Sequence, residues 1–353
     1  MGILSKIFTW WDGATIGTED AALGIELTDA TKGEVSLTTT VGDVNLWSKS
    51  DLPLAYARIA GGGQIEAKAG MSLIGTDTVV FGTGATLRFV LPTGLDLTSA
   101  LGTDFAGGAL EFETGGGIGT DEGPLVTSLA KLSLTGTGDA ATPLVMSEED
   151  DLRIEEITQT DDEDSRVVVT AGGDVSIGTI TSKSLIDIEA AAILDGRLVG
   201  ERVVLTTTGG IGGTERVDVT TARFKATTED GSADILLRDR AVEIEAIAIG
   251  GHGTLDLEST DAPVTLLAKA GSDPAGITTQ GGALTADLTS LEARADILSN
   301  GGAIALSTVG DLVQIKDTRI DAGTGTLRVE LGGDMTLSRL VTQNATRSAL
   351  SLT

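Results

Sequence analysis

The side chains best suited to chemistry in this chain are carboxylates, and they are densest between residues 147 and 164. Clustered carboxylate oxygens suit Ca²⁺, which takes about six to eight such ligands. A solvated, self-repelling segment is the alternative interpretation, and a run of like charges favours it. Calcium is therefore the only cofactor that the sequence suggests. Its candidate ligands are Asp121, Glu148, Glu149, Asp150, Asp151, Asp161, Asp162 and Asp164.

Asp121 enters this set because Gly116-Gly-Ile-Gly-Thr-Asp121 matches the start of a calcium-binding nonapeptide. The apolar position of that motif holds Gly123, and no tandem copy follows, so glycine corners explain the segment better. His252, the only histidine, lies between glycines. One histidine without cysteine is a poor metal site, and we expect an exposed turn residue there.

Catalytic residues are harder to find. A carbohydrate-active β-helix enzyme, either a hydrolase or a lyase, needs two or three converging acids and aromatic sugar platforms. After residue 166 the only aromatic residue is Phe224. We expect the acids beside glycine corners to be turn residues and the chain not to be an enzyme, with the carbohydrate-active enzyme as the alternative. These acids are Asp174, Asp256, Asp311 and Asp334.

The overall composition excludes several classes of function. The 353 residues include 24 Lys and Arg against 52 Asp and Glu, which gives a net charge of −28. A surface this acidic repels phosphates, so nucleic acid is not a partner. The absence of cysteine excludes disulfide scaffolds and thiolate metal sites. No apolar stretch approaches the length of about 18 residues that a transmembrane helix needs.

Short alternating runs dominate the chain, for example Gly302-Ala-Ile-Ala-Leu-Ser and Gly333-Asp-Met-Thr-Leu-Ser. Apolar residues two apart point to one face of a strand, and each run opens at a glycine, which supplies the positive φ of a tight corner. The runs recur about every 12 residues, so two strands give a period near 20 to 25. This pattern predicts an all-β, parallel β-solenoid of roughly 15 coils. A multi-domain β-sandwich is the alternative.

Composition also divides the chain into regions. We expect an aromatic cap segment in residues 1–30, an irregular β-rich part in 31–144, an acidic loop or joint in 145–165, and a regular solenoid in 166–353. The aromatic cap would cover the first coil, and the last apolar strand would lie uncapped. The candidate interface residues are Phe8, Trp10, Trp11, Leu350 and Leu352.

Two segments of the chain resemble each other, and their shared pattern also resembles that of a known family. Residues 116–136 and 209–228 both read Gly-Gly-Ile-Gly, then a short polar turn, then an apolar-Thr strand. Over about residues 30–353 the chain resembles the repeat region of filamentous-haemagglutinin-type bacterial surface proteins. That resemblance implies a β-helical shaft, a location at the cell surface and a role in adhesion or matrix. The chain does not contain the family's long N-terminal secretion domain, so the resemblance does not extend to the export route.

A second resemblance is local. Residues 6–18, Lys-Ile-Phe-Thr-Trp-Trp-Asp-Gly-Ala-Thr-Ile-Gly-Thr, look like the start of a small accessory subunit of respiratory complex I. The basic stretch that follows in that family is replaced here by Glu19-Asp-Ala-Ala-Leu-Gly, so we do not transfer a respiratory function.

Together these features favour a structural or adhesive shaft, or a self-assembling filament module, of a bacterial cell-surface or extracellular protein. The partners expected are further copies in head-to-tail contact, or further repeats of a longer chain, together with host or matrix glycans. The two alternatives to this function are the carbohydrate-active β-helix enzyme and a non-catalytic accessory piece of a larger complex.

Overall fold

A computed structural model shows that the chain is an all-β solenoid of parallel strands, with about 13 turns over the described residues. The strands that the structure describes pair in parallel, which excludes the antiparallel sandwich. The part of the chain that the structure describes contains no helix. It covers residues 6–11, 15–18, 21–25, 34–69, 71–73, 79–97, 104–137, 143–159, 165–268 and 276–353.

The chain divides into two compact units. Unit 1 is Met1–Gly173 with Gly178–Ser184, and unit 2 is Asp174–Ile177 with Leu185–Thr353. The boundary therefore lies within β16 rather than at residue 166, where the composition changes. The strands up to β16 are β1 Lys6–Trp11, β2 Leu23–Ile25, β3 Glu34–Thr39, β4 Val44–Ser48, β5 Leu52–Ile59, β6 Gly63–Ala67, β7 Met71–Leu73, β8 Val79–Phe81, β9 Thr86–Leu91, β10 Leu95–Asp96, β11 Phe105–Thr114, β12 Leu125–Gly136, β13 Leu144–Glu148, β14 Leu152–Gln159, β15 Val167–Ala171 and β16 Val175–Ser182.

The remaining strands belong to unit 2 and become shorter along the chain. They are β17 Leu185–Ala190, β18 Ile193–Thr207, β19 Val217–Thr228, β20 Ala233–Arg238, β21 Val242–Ile249, β22 Leu255–Thr260, β23 Val264–Leu266, β24 Gly276–Thr279, β25 Leu284–Leu288, β26 Leu291–Ala293, β27 Ile297–Leu298, β28 Ile304–Thr308, β29 Leu312–Gln314, β30 Ile320–Asp321, β31 Leu327–Leu331, β32 Met335–Thr336, β33 Leu340–Val341 and β34 Leu350–Leu352.

The core of unit 1 is a set of inward-facing columns, in which each residue stacks on its counterpart one coil away. One column contains Ile65, Phe89, Phe112, Leu134 and Ile157 in direct register. Phe105 packs edge-on against Phe89, with ring centroids 5.4 Å apart, and Phe112 stacks on Phe89 at 5.6 Å. These buried rings show that the aromatic residues between 81 and 112 fill a wide interior rather than form a surface.

The core of unit 2 is more uniform. A single column of aliphatic residues runs from Ile193 to Leu350 and passes through β20, β22, β25, β28 and β31. In the later coils, hydrogen-bonded partners on neighbouring coils lie 20 to 23 residues apart, as the sequence period predicted. Each of these turns contains three strands rather than two, because three separate ladders pass through β25, β26 and β27.

The acidic region is also part of the sheet. Residues 145–165 were expected to form a loop or joint, but β13 and β14 occupy 144–159 and pair in parallel with β12. Leu152, Ile154 and Ile157 point inward, and the intervening charged residues point outward. The alternation of apolar and charged residues, rather than the net charge, therefore determines the structure of this segment.

One corner of unit 2 is a column of glycines. An added Cβ at Gly253, Gly282, Gly302 or Gly325 would lie within 2.0 Å of the carbonyl oxygen of the glycine one coil before. These four residues do not have positive φ, unlike Gly42 at +98°. At this corner glycine is required because neighbouring backbones approach closely, not because of the left-handed conformation that the sequence predicted.

Candidate functional site

Glu148, one of the candidate calcium ligands, is buried inside unit 1 with 2 % exposure. Its carboxylate accepts hydrogen bonds from Thr127 Oγ1 at 2.8 Å, from the backbone N–H of Leu129 at 3.1 Å and from that of Glu149 at 3.0 Å. Burial raises the pKa of Glu148, and these donors act against that rise. The side chain replaces a backbone acceptor at the corner after β13, so its oxygens are already engaged within the protein.

The structure does not assemble the other candidate ligands that it describes around one point. Glu149, Asp150 and Asp151 lie exposed at the corner between β13 and β14. Asp121 Oδ2 accepts a hydrogen bond from Arg166 Nη2 at 2.7 Å. Within the described ranges, no group of three or more His, Cys, Asp or Glu residues is arranged to hold a metal ion. Asp161, Asp162 and Asp164 lie outside the described residues.

The candidate interface residues lie in the first and last strands. β1 pairs in parallel with β3, which places Phe8, Trp10 and Trp11 opposite Ser36, Thr38 and Thr39. The side chains of the three aromatic residues lie outside the described part of the structure.

The last strand can be described in full. Leu350 and Leu352 are 47 % and 43 % exposed, although they continue buried columns from Leu327 and Val329. Met335 continues the column of Leu312 in the same way and is 41 % exposed. The final coil of unit 2 therefore presents an apolar face, which we call the end face and define by Met335, Leu350 and Leu352.

The acids expected at turns fall into two groups. Asp311 Oδ1 accepts a hydrogen bond from the backbone N–H of Asp334 on the next coil at 2.8 Å, as a corner residue should. Asp256 is not in a turn: it lies within β22, in register with Asp234. His252 lies at an exposed corner with φ of +63°, as predicted.

Asp234 and Asp256 belong to the most concentrated ionic cluster on unit 2. Arg216 contacts Asp234 at 2.8 Å, Asp256 at 3.5 Å and also Glu258, so one guanidinium just before β19 binds carboxylates on both β20 and β22. Burial raises the pKa of Asp234, and the nearby Arg216 opposes that rise. The cluster therefore links neighbouring coils through one arginine.

A second ion pair of the same kind joins Arg202 to Glu245. The two side chains form a bidentate pair with contacts of 2.8 and 2.7 Å. The hydrogen bonds from Arg202 lower the pKa of Glu245, because they favour its charged form.

The sequence analysis did not predict a hydrogen bond that recurs at the corners, in which a Thr or Ser hydroxyl is the donor. A buried Thr or Ser at the end of a strand donates to the carbonyl oxygen of a glycine two or three residues later. Examples are Thr114 to Gly116 at 2.8 Å, Thr228 to Gly231 at 3.0 Å and Thr279 to Gly282 at 2.6 Å. The signal was present as Thr-x-Gly and Thr-x-x-Gly at strand ends. The threonine at these positions satisfies a carbonyl that the corner would otherwise leave unpaired.

The surface of unit 1 has a groove of about 340 Å³. It lies across β8, β11 and β12, over small residues such as Ala106, Gly107 and Ala130, and Asp150 is the one carboxylate among its described lining residues. A single acid without a convergent partner does not form a glycosidase-type site.

Gln159 is the least satisfied polar side chain in unit 1. It is 1 % exposed, and among the described residues neither its Oε1 nor its Nε2 meets a hydrogen-bond partner. We expect Gln159→Leu to raise the free energy of unfolding by about 1–3 kcal/mol, because the desolvation penalty disappears. The midpoint of urea denaturation measures this change.

Gln314 provides a matched control for that substitution. It is 2 % exposed, but its Nε2 donates to Thr318 O at 2.8 Å, and its Oε1 accepts from the N–H of Ser338 at 3.0 Å. Gln314→Leu should therefore lower stability. A loss of stability in both variants would show that Gln159 has a partner that its surroundings do not reveal.

Comparison with known proteins adds no further assignment. No protein family, curated protein or solved structure matches the chain. Within the described residues, no helix is long and apolar enough to cross a membrane.

Proposed function

We propose that this chain is a non-catalytic structural module, a shaft or filament segment of a bacterial cell-surface or extracellular protein. The observation that carries this proposal is the aliphatic column of unit 2, which continues from coil to coil. Such a column serves to stack coils, and each coil buries its apolar surface only against its neighbours. An adhesive role toward host or matrix glycans rests on the sequence resemblance alone.

The end face supplies the means of assembly. Its apolar residues continue interior columns, so the surface that best covers them is another coil with the same inward pattern. We propose a second copy of this chain as the occupant, in head-to-tail contact with the strand edge at β1. Such heterologous contacts build open filaments. The net charge of −28 keeps the flanks of such assemblies apart and favours contact at the ends.

The test is self-association measured by light scattering over a range of protein concentrations. The wild-type chain should associate, and negative-stain electron microscopy of the associated fraction should show filaments of uniform width. Leu350→Lys combined with Leu352→Lys should abolish association, because the ammonium groups would be buried without partners. Val309→Lys is the control, because Val309 is 80 % exposed and belongs neither to the end face nor to the strand edge at β1.

Two outcomes would contradict the proposal: a wild-type chain that stays monomeric at every concentration, or association that the paired lysines leave unchanged. The same series with millimolar calcium and with chelator tests the acidic region separately. Loss of association on chelation would support a role for calcium, and equal association would remove calcium from the proposal.

A further inference from the structure

Asn300 occupies a corner of unit 2 that joins three successive coils. It follows β27, which pairs with β24 on one side and β30 on the other. Its side-chain Nδ2 donates to the carbonyl oxygen of Thr279 at 2.7 Å, on the preceding coil. The next backbone N–H, that of Gly301, donates to the carbonyl oxygen of Ala322 at 3.2 Å, on the following coil. Asn300 and Gly301 thus clamp the coils on both sides.

These two groups are also the reactants of a spontaneous modification. In Asn-Gly sequences the glycine nitrogen attacks the asparagine Cγ readily, because glycine has no side chain to hinder the approach. The new N–Cγ bond closes a succinimide ring, and the side-chain nitrogen leaves as ammonia with the proton from the glycine N–H. Water then opens the ring at either carbonyl and gives aspartate or isoaspartate. Of the three asparagines in the chain, only Asn300 precedes glycine.

We infer that Asn300 is a deamidation site controlled by the opening of its coil. In the closed corner both reactants are engaged, since the attacking nitrogen is bonded to Ala322 and the leaving amide to Thr279. Asn300 also has φ of +51°, which fixes the backbone in the left-handed region. The residue is exposed, so water reaches it once the clamp opens. The reaction therefore proceeds from the opened corner and is slow in the closed one.

The product cannot restore the clamp. The donor Nδ2 is replaced by a carboxylate oxygen, which would face the Thr279 carbonyl as a second acceptor. Isoaspartate also adds a methylene group to the backbone at a corner where Gly323 and Gly301 already approach closely. A transient opening of one coil is thereby converted into a permanent loosening of the corner.

The test is peptide mass spectrometry of the full chain after incubation at neutral pH, in buffer and in urea. In urea, Asn300 should deamidate faster than Asn45 and Asn344, which serve as internal standards. In buffer, we expect Asn300 to react at least about tenfold more slowly than in urea. Hydrogen exchange should then be faster at residues 297–302 in the deamidated fraction than in the intact chain. Equal rates in buffer and urea, or unchanged exchange after deamidation, would overturn the inference.

A pair of variants separates local opening from unfolding of the whole chain. Ile320 is buried on the following coil and stacks on Ile297. Ile320→Val should speed deamidation of Asn300 in buffer several-fold and leave the rate in urea unchanged. Ile65→Val makes the same chemical change at a buried position in unit 1 and should have no such effect. Equal acceleration by both variants would show that global unfolding is the route and would refute coil-level control.

Discussion

Gly302→Ala should lower the free energy of unfolding of unit 2 by about 3 kcal/mol or more. An ideal Cβ at this position lies 2.0 Å from the carbonyl oxygen of Gly282. That oxygen belongs to the backbone of the preceding coil, so no side chain is able to move aside. Relief requires the two coils to separate, and separation breaks the ladder pairing of β25 with β28. The loss should appear in urea denaturation followed by circular dichroism.

Gly84→Ala is the control for this substitution, because an added Cβ there meets nothing within 4 Å. It should change stability by less than about 0.5 kcal/mol. If Gly302→Ala proved as mild as Gly84→Ala, the close approach of glycines at this corner would not be a requirement of the fold.

Phe89→Ala should be the most damaging truncation in unit 1, with a loss of about 3–5 kcal/mol. The ring is fully buried, and it contacts both Phe105 and Phe112. Each coil is rigidly paired to its neighbours along the backbone, so the interior has little freedom to collapse into the space left behind. All three tryptophans lie in unit 1, so tryptophan fluorescence during urea denaturation reports on this unit.

Val90→Ala is the matched control on the same strand, since Val90 is half-buried on the outer face of β9. It should cost less than about 1 kcal/mol, as expected for a partly exposed methyl-bearing side chain. A loss from Phe89→Ala no greater than that from Val90→Ala would mean that the aromatic cluster adds no stability beyond that of the backbone ladders.

Much of the fold follows from alternation in the sequence. Runs such as Gly302-Ala-Ile-Ala-Leu-Ser predicted strands with one apolar face, and β28 has that arrangement. The period of 20 to 25 residues also predicted the spacing between the later coils, where Ile304 pairs with Leu284 and with Leu327. The number of strands per turn could not be predicted, because a two-residue strand such as β27 leaves too few alternating positions to recognise.

The acidic region shows where sequence reasoning failed. Net charge suggested a loop, but Leu152, Ile154 and Ile157 provide enough inward-facing apolar surface for a strand. The role of Glu148 depends on backbone N–H groups that are brought together only by coil stacking, so no local motif reveals it. The glycine column was recognised as a set of corners, but the reason for glycine lies in the neighbouring coil and not in the residue's own φ.

The ionic cluster around Arg216 and the ion pair of Arg202 with Glu245 affect how unit 2 unfolds. In a repeat protein with contacts only between adjacent coils, a fracture costs the same at any equivalent interface. Arg202 reaches Glu245, 43 residues away, and Arg216 reaches Glu258, 42 residues away, so each spans an intervening coil. These next-nearest-neighbour links penalise a break at either interface they cross. Partial unfolding that begins in the later coils should therefore stop at residue 258. Residues 202–258 should unfold as one cooperative block, while the later coils open one at a time.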